Sequence, residues 1–211
     1  MASHYDLFLT ELASRLKPLG LKRTRRRFFV KPLPYGEAFL RFQKSITSTA
    51  AVARFTAELI IVHTGIRKRA EDLDFNYVVM EQYNRRITEF RRGSAHWWEI
   101  RSAADIAPSA DDIESVIRDW VMPEIDRYSS EQALVEIWEA ECMIGLTEWQ
   151  WAICLALYYG LNGMSARREE FRQRIERSWK PDSYERFISI YGELFDDASN
   201  GTREENRGRS S

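Results

Sequence analysis

Two cysteines, Cys142 and Cys154, are all that 211 residues contain. They offer no framework of disulfides and no paired spacing for a structural zinc site. Both lie in apolar, tryptophan-rich sequence and read as small buried hydrophobes of a reducing compartment. Histidine is equally scarce. His4, His63 and His96 pair at neither i+3 nor i+4, which excludes a helical metal motif and leaves only distant ligands. The chain has no phosphate-cradling glycine loop and no GxSxG nucleophile elbow. The opening MASHYDLF carries neither the basic nor the apolar segment of a signal peptide. The longest apolar run, Trp151 to Tyr159, is well short of the ~18 residues that a membrane span requires. These absences lead us to expect a cytoplasmic protein without cofactor, metal or membrane partner.

Charge is abundant and unevenly placed. Residues 1–101 hold 19 Lys and Arg against 10 Asp and Glu, whereas residues 102–211 hold 12 against 22. Asymmetry of this size marks either an anion-binding half or two halves that lie against each other. The densest stretch is LKRTRRRFFVK, residues 21–31, with Lys22, Arg23, Arg25, Arg26, Arg27 and Lys31.

Periodicity sets the fold class. Tyr5, Phe8, Leu9, Leu12 and Leu16 form one helical stripe over residues 4–17, capped by Ser3 and stopped by Pro18 and Gly20. The period then shortens to two. RFFVK and EAFLRFQKS flank the turn PLPYG as a hairpin, and AVARFTAELIIV follows as an antiparallel third strand. That register sets Arg41 beside Glu58. Residues 64–95 are ambiguous, with IRKRAED as a helical turn and NYVVMEQYNRRITEF as strand or helix, while HWWEI reads as a short fourth strand. From Ser109 the period is helical. Ser109 with Asp112, Ser129 with Gln132 and Thr147 with Gln150 are cap signals, and Ile113, Val116, Ile117 and Trp120 form an inward stripe. Pro123 kinks or ends that helix. Further helices open at Ser165 and after Pro181. The expectation is an α+β chain: an N-terminal helix, a three- to four-stranded antiparallel sheet and four to five C-terminal helices. It divides as an α+β domain over 1–128, helical hairpins over 129–197 and a disordered tail over 198–211.

Several phrases, taken in order, carry a resemblance. LKPLGLKRTRRRFF, LRFQKS, RFTAELII, RRIT ahead of HWWEI, and a helix ending VMPEIDRYSS together resemble the domain-of-unknown-function family 4304 over roughly residues 5–140. FQKS with the downstream tryptophan pair is the most specific element. Leu21 stands where that family usually has phenylalanine. The resemblance implies the α+β fold and no established activity. The later hairpins resemble a tetratricopeptide-like tail but show no 34-residue consensus.

The candidate site residues are Arg25, Arg26, Arg41, Gln43, Lys44, Arg86, Trp97 and Trp98. Arg41 and Gln43 share a strand face, and Lys44 points the other way. Arg85 and Arg86 reach the same region. Trp97 and Trp98, as strand neighbours, place one ring inside and one outside. Arginine and tryptophan dominate binding hot spots, so a protein partner is the leading expectation, in an adaptor or immunity-type role by analogy. Nucleic acid bound through the basic half is the alternative, although the aromatic residues mostly alternate inward. Lysine and arginine on a sheet edge also serve simply to prevent edge-to-edge pairing. An unrecognised enzyme is the third reading, with Glu71, Asp72 and Asp74 of AEDLDF as carboxylates able to divide acid and base roles.

Overall fold

The computed structural model describes residues 3–25 (the backbone alone at Arg25), 27–49, 51–75, 81–91, 97–140 and 143–196. Cys142, His96, Arg26 and the 198–211 tail lie outside them. The fold is α+β. The elements run α1 (His4–Leu16), β1 (Lys22–Arg25), β2 (Phe28–Leu33), β3 (Gly36–Lys44), β4 (Ala53–His63), α2 (Thr64–Asp72), β5 (Tyr83–Arg86) and β6 (Trp98–Ile100). Then come α3 (Ile106–Val116), a π-helical turn (Ile117–Val121), α4 (Met122–Arg127), α5 (Glu131–Glu139), α6 (Glu148–Leu161), α7 (Ser165–Ser178) and α8 (Pro181–Tyr191).

Among the described residues, six strands form one antiparallel sheet ordered β1-β2-β3-β4-β5, with β6 also paired to β4. This exceeds the three or four strands expected. The basic stretch folds back on itself, so that Lys22 pairs with Val30 and Arg25 with Phe28, with a bulge between Arg23 and Arg25. β5 comes from the ambiguous region, and Arg86 there pairs with Glu58. Its far edge is covered by the 143–146 loop, where the Asn84 N–H donates to the Ile144 carbonyl at 3.3 Å. Gly145 permits that approach. Its φ is +71°, and a Cβ there would meet the Asn84 oxygen at 2.0 Å.

One sheet face packs on α1 and α3. Phe8 of α1 meets Phe55 at 4.9 Å between ring centres and Phe42 at 6.2 Å. Ser3 caps α1 as expected, accepting from the Asp6 N–H. α3 begins earlier than the Ser109 and Asp112 pair suggested, behind a capping box made by Ser102 and Asp105. Asp112 is instead a core-edge acceptor. Its Oδ2 takes the Trp98 indole N–H at 2.8 Å, and its Oδ1 takes Arg91 at 2.5 Å. The π-helical turn before Pro123 adds a residue to the helical phase, so Trp120 leaves the inward stripe and is 50% exposed.

The C-terminal helices join the sheet end through buried tryptophans. The Trp138 indole donates to the Gln82 carbonyl at 3.3 Å, and the Trp151 indole donates to the Trp138 carbonyl at 2.7 Å. α5 is capped by Ser130, one residue beyond the expected Ser129, while Thr147 and Gln150 form the expected box at α6. Cys154 is fully buried in α6, and that burial pushes its thiol pKa up. Among the described residues no helix is long and apolar enough to cross a membrane.

Asp112→Ala removes the acceptor of an indole that is only 5% exposed. It should lower the unfolding free energy by about 1–3 kcal/mol, measured by urea denaturation.

Candidate functional site

The register builds the site. Across β3, β4 and β5, Arg41 lies opposite Glu58, and Glu58 opposite Arg86. Pairing of Phe55 with Trp98 puts the Trp98 ring on the core face, stacked on Phe55 at 6.1 Å. Trp97 falls on the opposite face by alternation. There it lies between two guanidinium groups, with Arg54 at 5.6 Å and Arg86 at 6.0 Å from its ring centre. The ring is half-buried.

The arginines of this face differ in their company. Arg41 is clamped. Its Nε and Nη2 donate to Glu58 Oε2 at 2.9 and 2.6 Å, and its Nη1 donates to Glu81. Asn84 Nδ2 holds Glu81 from the other side at 2.7 Å. Burial disfavours the Arg41 charge, but the two carboxylates more than offset it and hold the guanidinium above its usual pKa. Arg54 reaches Glu99 at 3.7 Å. Arg86 has no ion pair among the described residues. Three cations, Arg41, Arg54 and Arg86, therefore share this face with three carboxylates, Glu58, Glu81 and Glu99, and a fourth cation, Arg101, holds Glu99 at 2.6 Å. The face is polar, with little excess of positive charge.

The structure sorts the sequence candidates accordingly. Arg41, Arg86 and Trp97 come together, and Gln43 is exposed beside them, opposite Thr56. Trp98 does not belong, because its indole is in the core. Lys44 belongs to the other face, with its Nζ 5.4 Å from the centre of the Tyr5 ring. The Arg25 side chain and Arg26 lie outside the described residues. Arg85 stacks on Phe90 at 4.3 Å and pairs with Glu89. Arg54, which the sequence reading left aside, is a full member. Its signal was the alternation of β4, which turned it outward next to Ala53.

The other candidates separate. Glu71 and Asp72 at the end of α2 and Asp74 just after it, with a φ of 61°, are all exposed to solvent. His63 ends β4. Its Nδ1 accepts the Ile66 N–H at 3.1 Å, capping α2, and its Nε2 meets Glu131 at 2.5 Å. With the Nδ1 position already an acceptor, the Nε2 carries the proton. Both nitrogens are engaged, and the ring joins the sheet to α5. Among the described residues no group of three or more His, Cys, Asp or Glu is placed to hold a metal.

Comparison of the chain with protein-family models, curated proteins and solved structures finds no match.

Arg41→Met strands two carboxylates, one of them on a side chain only 11% exposed. It should cost roughly 2 kcal/mol, below the ~3–5 kcal/mol of a fully buried pair. Arg86→Met should stay within ~0.5 kcal/mol of the parent. Chemical denaturation of the two variants side by side measures the difference.

Proposed function

We propose that this chain is a non-enzymatic protein-binding module, in an adaptor or immunity-type role, and a divergent relative of the domain-of-unknown-function family 4304. The phrases that carry the family resemblance fall in order on α1, the sheet and the helices that cover it. The observation that carries the binding reading is Trp97, held half-exposed between Arg54 and Arg86 on a rigid sheet face. A tryptophan flanked by arginines is the composition of an interface anchor. Its rotamer is already restrained by two cation–π contacts, so little side-chain entropy is lost on binding.

Charge balance favours a protein over a nucleic acid. A phosphate backbone selects a continuous excess of lysine and arginine, whereas this face interleaves its cations with carboxylates. Arg86, lacking an ion pair among the described residues, suits a carboxylate on the partner. The paired Arg41 and Glu58 suit neutral hydrogen-bonding groups beside it.

The test is a pull-down of the tagged chain at near-physiological salt, with and without nuclease. A protein recovered in fixed ratio should survive nuclease and should be lost with Trp97→Ala and Arg86→Glu. It should be retained with Arg118→Glu, a change on an exposed helical face. Companions that vanish on nuclease digestion would replace this reading with nucleic-acid binding.

A further inference from the structure

β5 ends the ordered run of strands β1-β2-β3-β4-β5, and its outer edge is covered only in part. The Asn84 N–H points away from β4 and donates to the Ile144 carbonyl at 3.3 Å. Alternation along an antiparallel strand turns the Arg86 N–H the same way. Among the described residues no backbone carbonyl beyond the sheet accepts it. An open groove of ≈ 610 Å³ lies beside it, lined by Glu58, Asn84, Arg86, Glu89, Ile144 and Gly145. The 143–146 loop thus covers the edge at Asn84 and leaves it bare at Arg86.

The side chains above that edge form a row of alternating charge. Register sets Arg41 of β3 opposite Glu58 of β4, and Glu58 opposite Arg86 of β5. Residues directly opposite on adjacent strands are neighbours on one face, where unlike charges attract and like charges repel. Glu58 gives its Oε2 to Arg41 at 2.6 and 2.9 Å, and Glu81 also turns to Arg41. Arg86 is left with no ion pair among the described residues. Glu89 does not supply one, because it pairs with Arg85 at 3.7 Å. The row therefore stops on an unmatched cation at a strand edge. A further strand laid against β5 would set a side chain opposite Arg86, on the face that carries Trp97. A carboxylate there continues the alternation, whereas a lysine or arginine would meet like charge.

We propose that the β5 edge takes an extended segment of a protein partner by strand addition, with an aspartate or glutamate opposite Arg86 and a main-chain carbonyl accepting the Arg86 N–H. This rests on the protein-binding reading of the Trp97 face, and it gives that partner its backbone shape and its charge. In strand addition the main-chain hydrogen bonds supply affinity and the facing side chains supply selection. The Trp97 ring, 6.0 Å from the Arg86 guanidinium, borders the carboxylate of the added segment.

The experiment selects short random linear peptides, displayed on phage, against the whole chain and in parallel against Arg86→Met, whose stability should match the parent. Peptides enriched on the parent should share an acidic residue at one fixed position and should not be enriched on Arg86→Met. A synthetic peptide from that set should bind the parent saturably, and its glutamine counterpart about fivefold more weakly. Arg86→Met should not distinguish the two. Hydrogen exchange at the Arg86 amide should slow in the complex, which a contact through side chains alone would not cause. Enriched peptides without an acidic position, an acidic preference retained by Arg86→Met, or an unchanged Arg86 amide overturns the inference. So does self-association of the free chain through β5, seen by sedimentation, which would give the edge to a second copy. If the inference fails while a pull-down partner is still lost with Trp97→Ala, the binding reading stands and the partner presents a folded surface instead of a strand. Failure of both measurements removes the binding reading as well.

Discussion

The structure depends on β4. Its residues from Phe55 to His63 are buried without interruption, so neither face of the strand is left to solvent there. One strand cannot bury two faces by itself, and the rest of the sheet follows from that requirement. β3 flanks it on one side, and β5 and β6 share the other. On one face, α1 and α3 supply apolar rings and branched chains over Phe55, Ala57 and Leu59. On the other, Thr56, Glu58 and Ile60 are also buried, and Glu58 is held there by the Arg41 clamp. A residue slip in β4 would exchange these two sets. It would put Glu58 among the phenylalanines and expose Phe55, which fixes the register and with it the line from Arg41 through Glu58 to Arg86.

The charge asymmetry of the sequence resolves at the seam between its halves. Arg15 pairs with Asp111 and Glu114, Lys31 with Asp126 and Arg91 with Asp112. His63 meets Glu131, and the Tyr83 hydroxyl donates to Glu124 at 2.7 Å. Cations of the first half are thus taken up by carboxylates of the second. Each exposed pair contributes little to stability, but together they orient the α3 and α4 layer on the sheet. What the seam leaves over is informative. Arg86 on one face, and Arg27 with Lys44 at the sheet end, have no carboxylate partner among the described residues. Other cations, Lys17, Lys22 and Lys68 among them, are likewise without an ion pair among the described residues, and Arg86 differs from these in lying against the Trp97 ring.

Much of this was legible in sequence, for identifiable reasons. The Arg41 and Glu58 pairing followed from strict alternation in two long strands joined by a short connection. The division of Trp97 from Trp98 followed from alternation alone. The Thr147 and Gln150 box was readable because capping is local. Other features were hidden because their causes are not local. The β1–β2 turn lies within a run of arginines and carries no glycine, proline or asparagine to mark it. β5, with sequence YNRR, has no apolar alternation and is a strand because β4 and the 143–146 loop supply its hydrogen bonds. Trp120 broke its stripe because a π-helical turn shifts the helical phase, which a fixed period cannot anticipate.

Tyr5 shows the same limit most sharply. In sequence it is the first member of a helical stripe with Phe8, Leu9 and Leu12, and nothing separates it from a core phenylalanine. Only the folded chain shows an oxygen buried among rings, without a hydrogen-bond partner among the described residues. Thr56 and Thr88 also carry buried hydroxyls without partners among those residues, so an orphaned oxygen alone does not define a site. The Tyr5 hydroxyl is of the same kind, since it is the Tyr5 ring, packed against Phe8 and Phe55, and not the buried oxygen, that borders a cavity shared with Lys44.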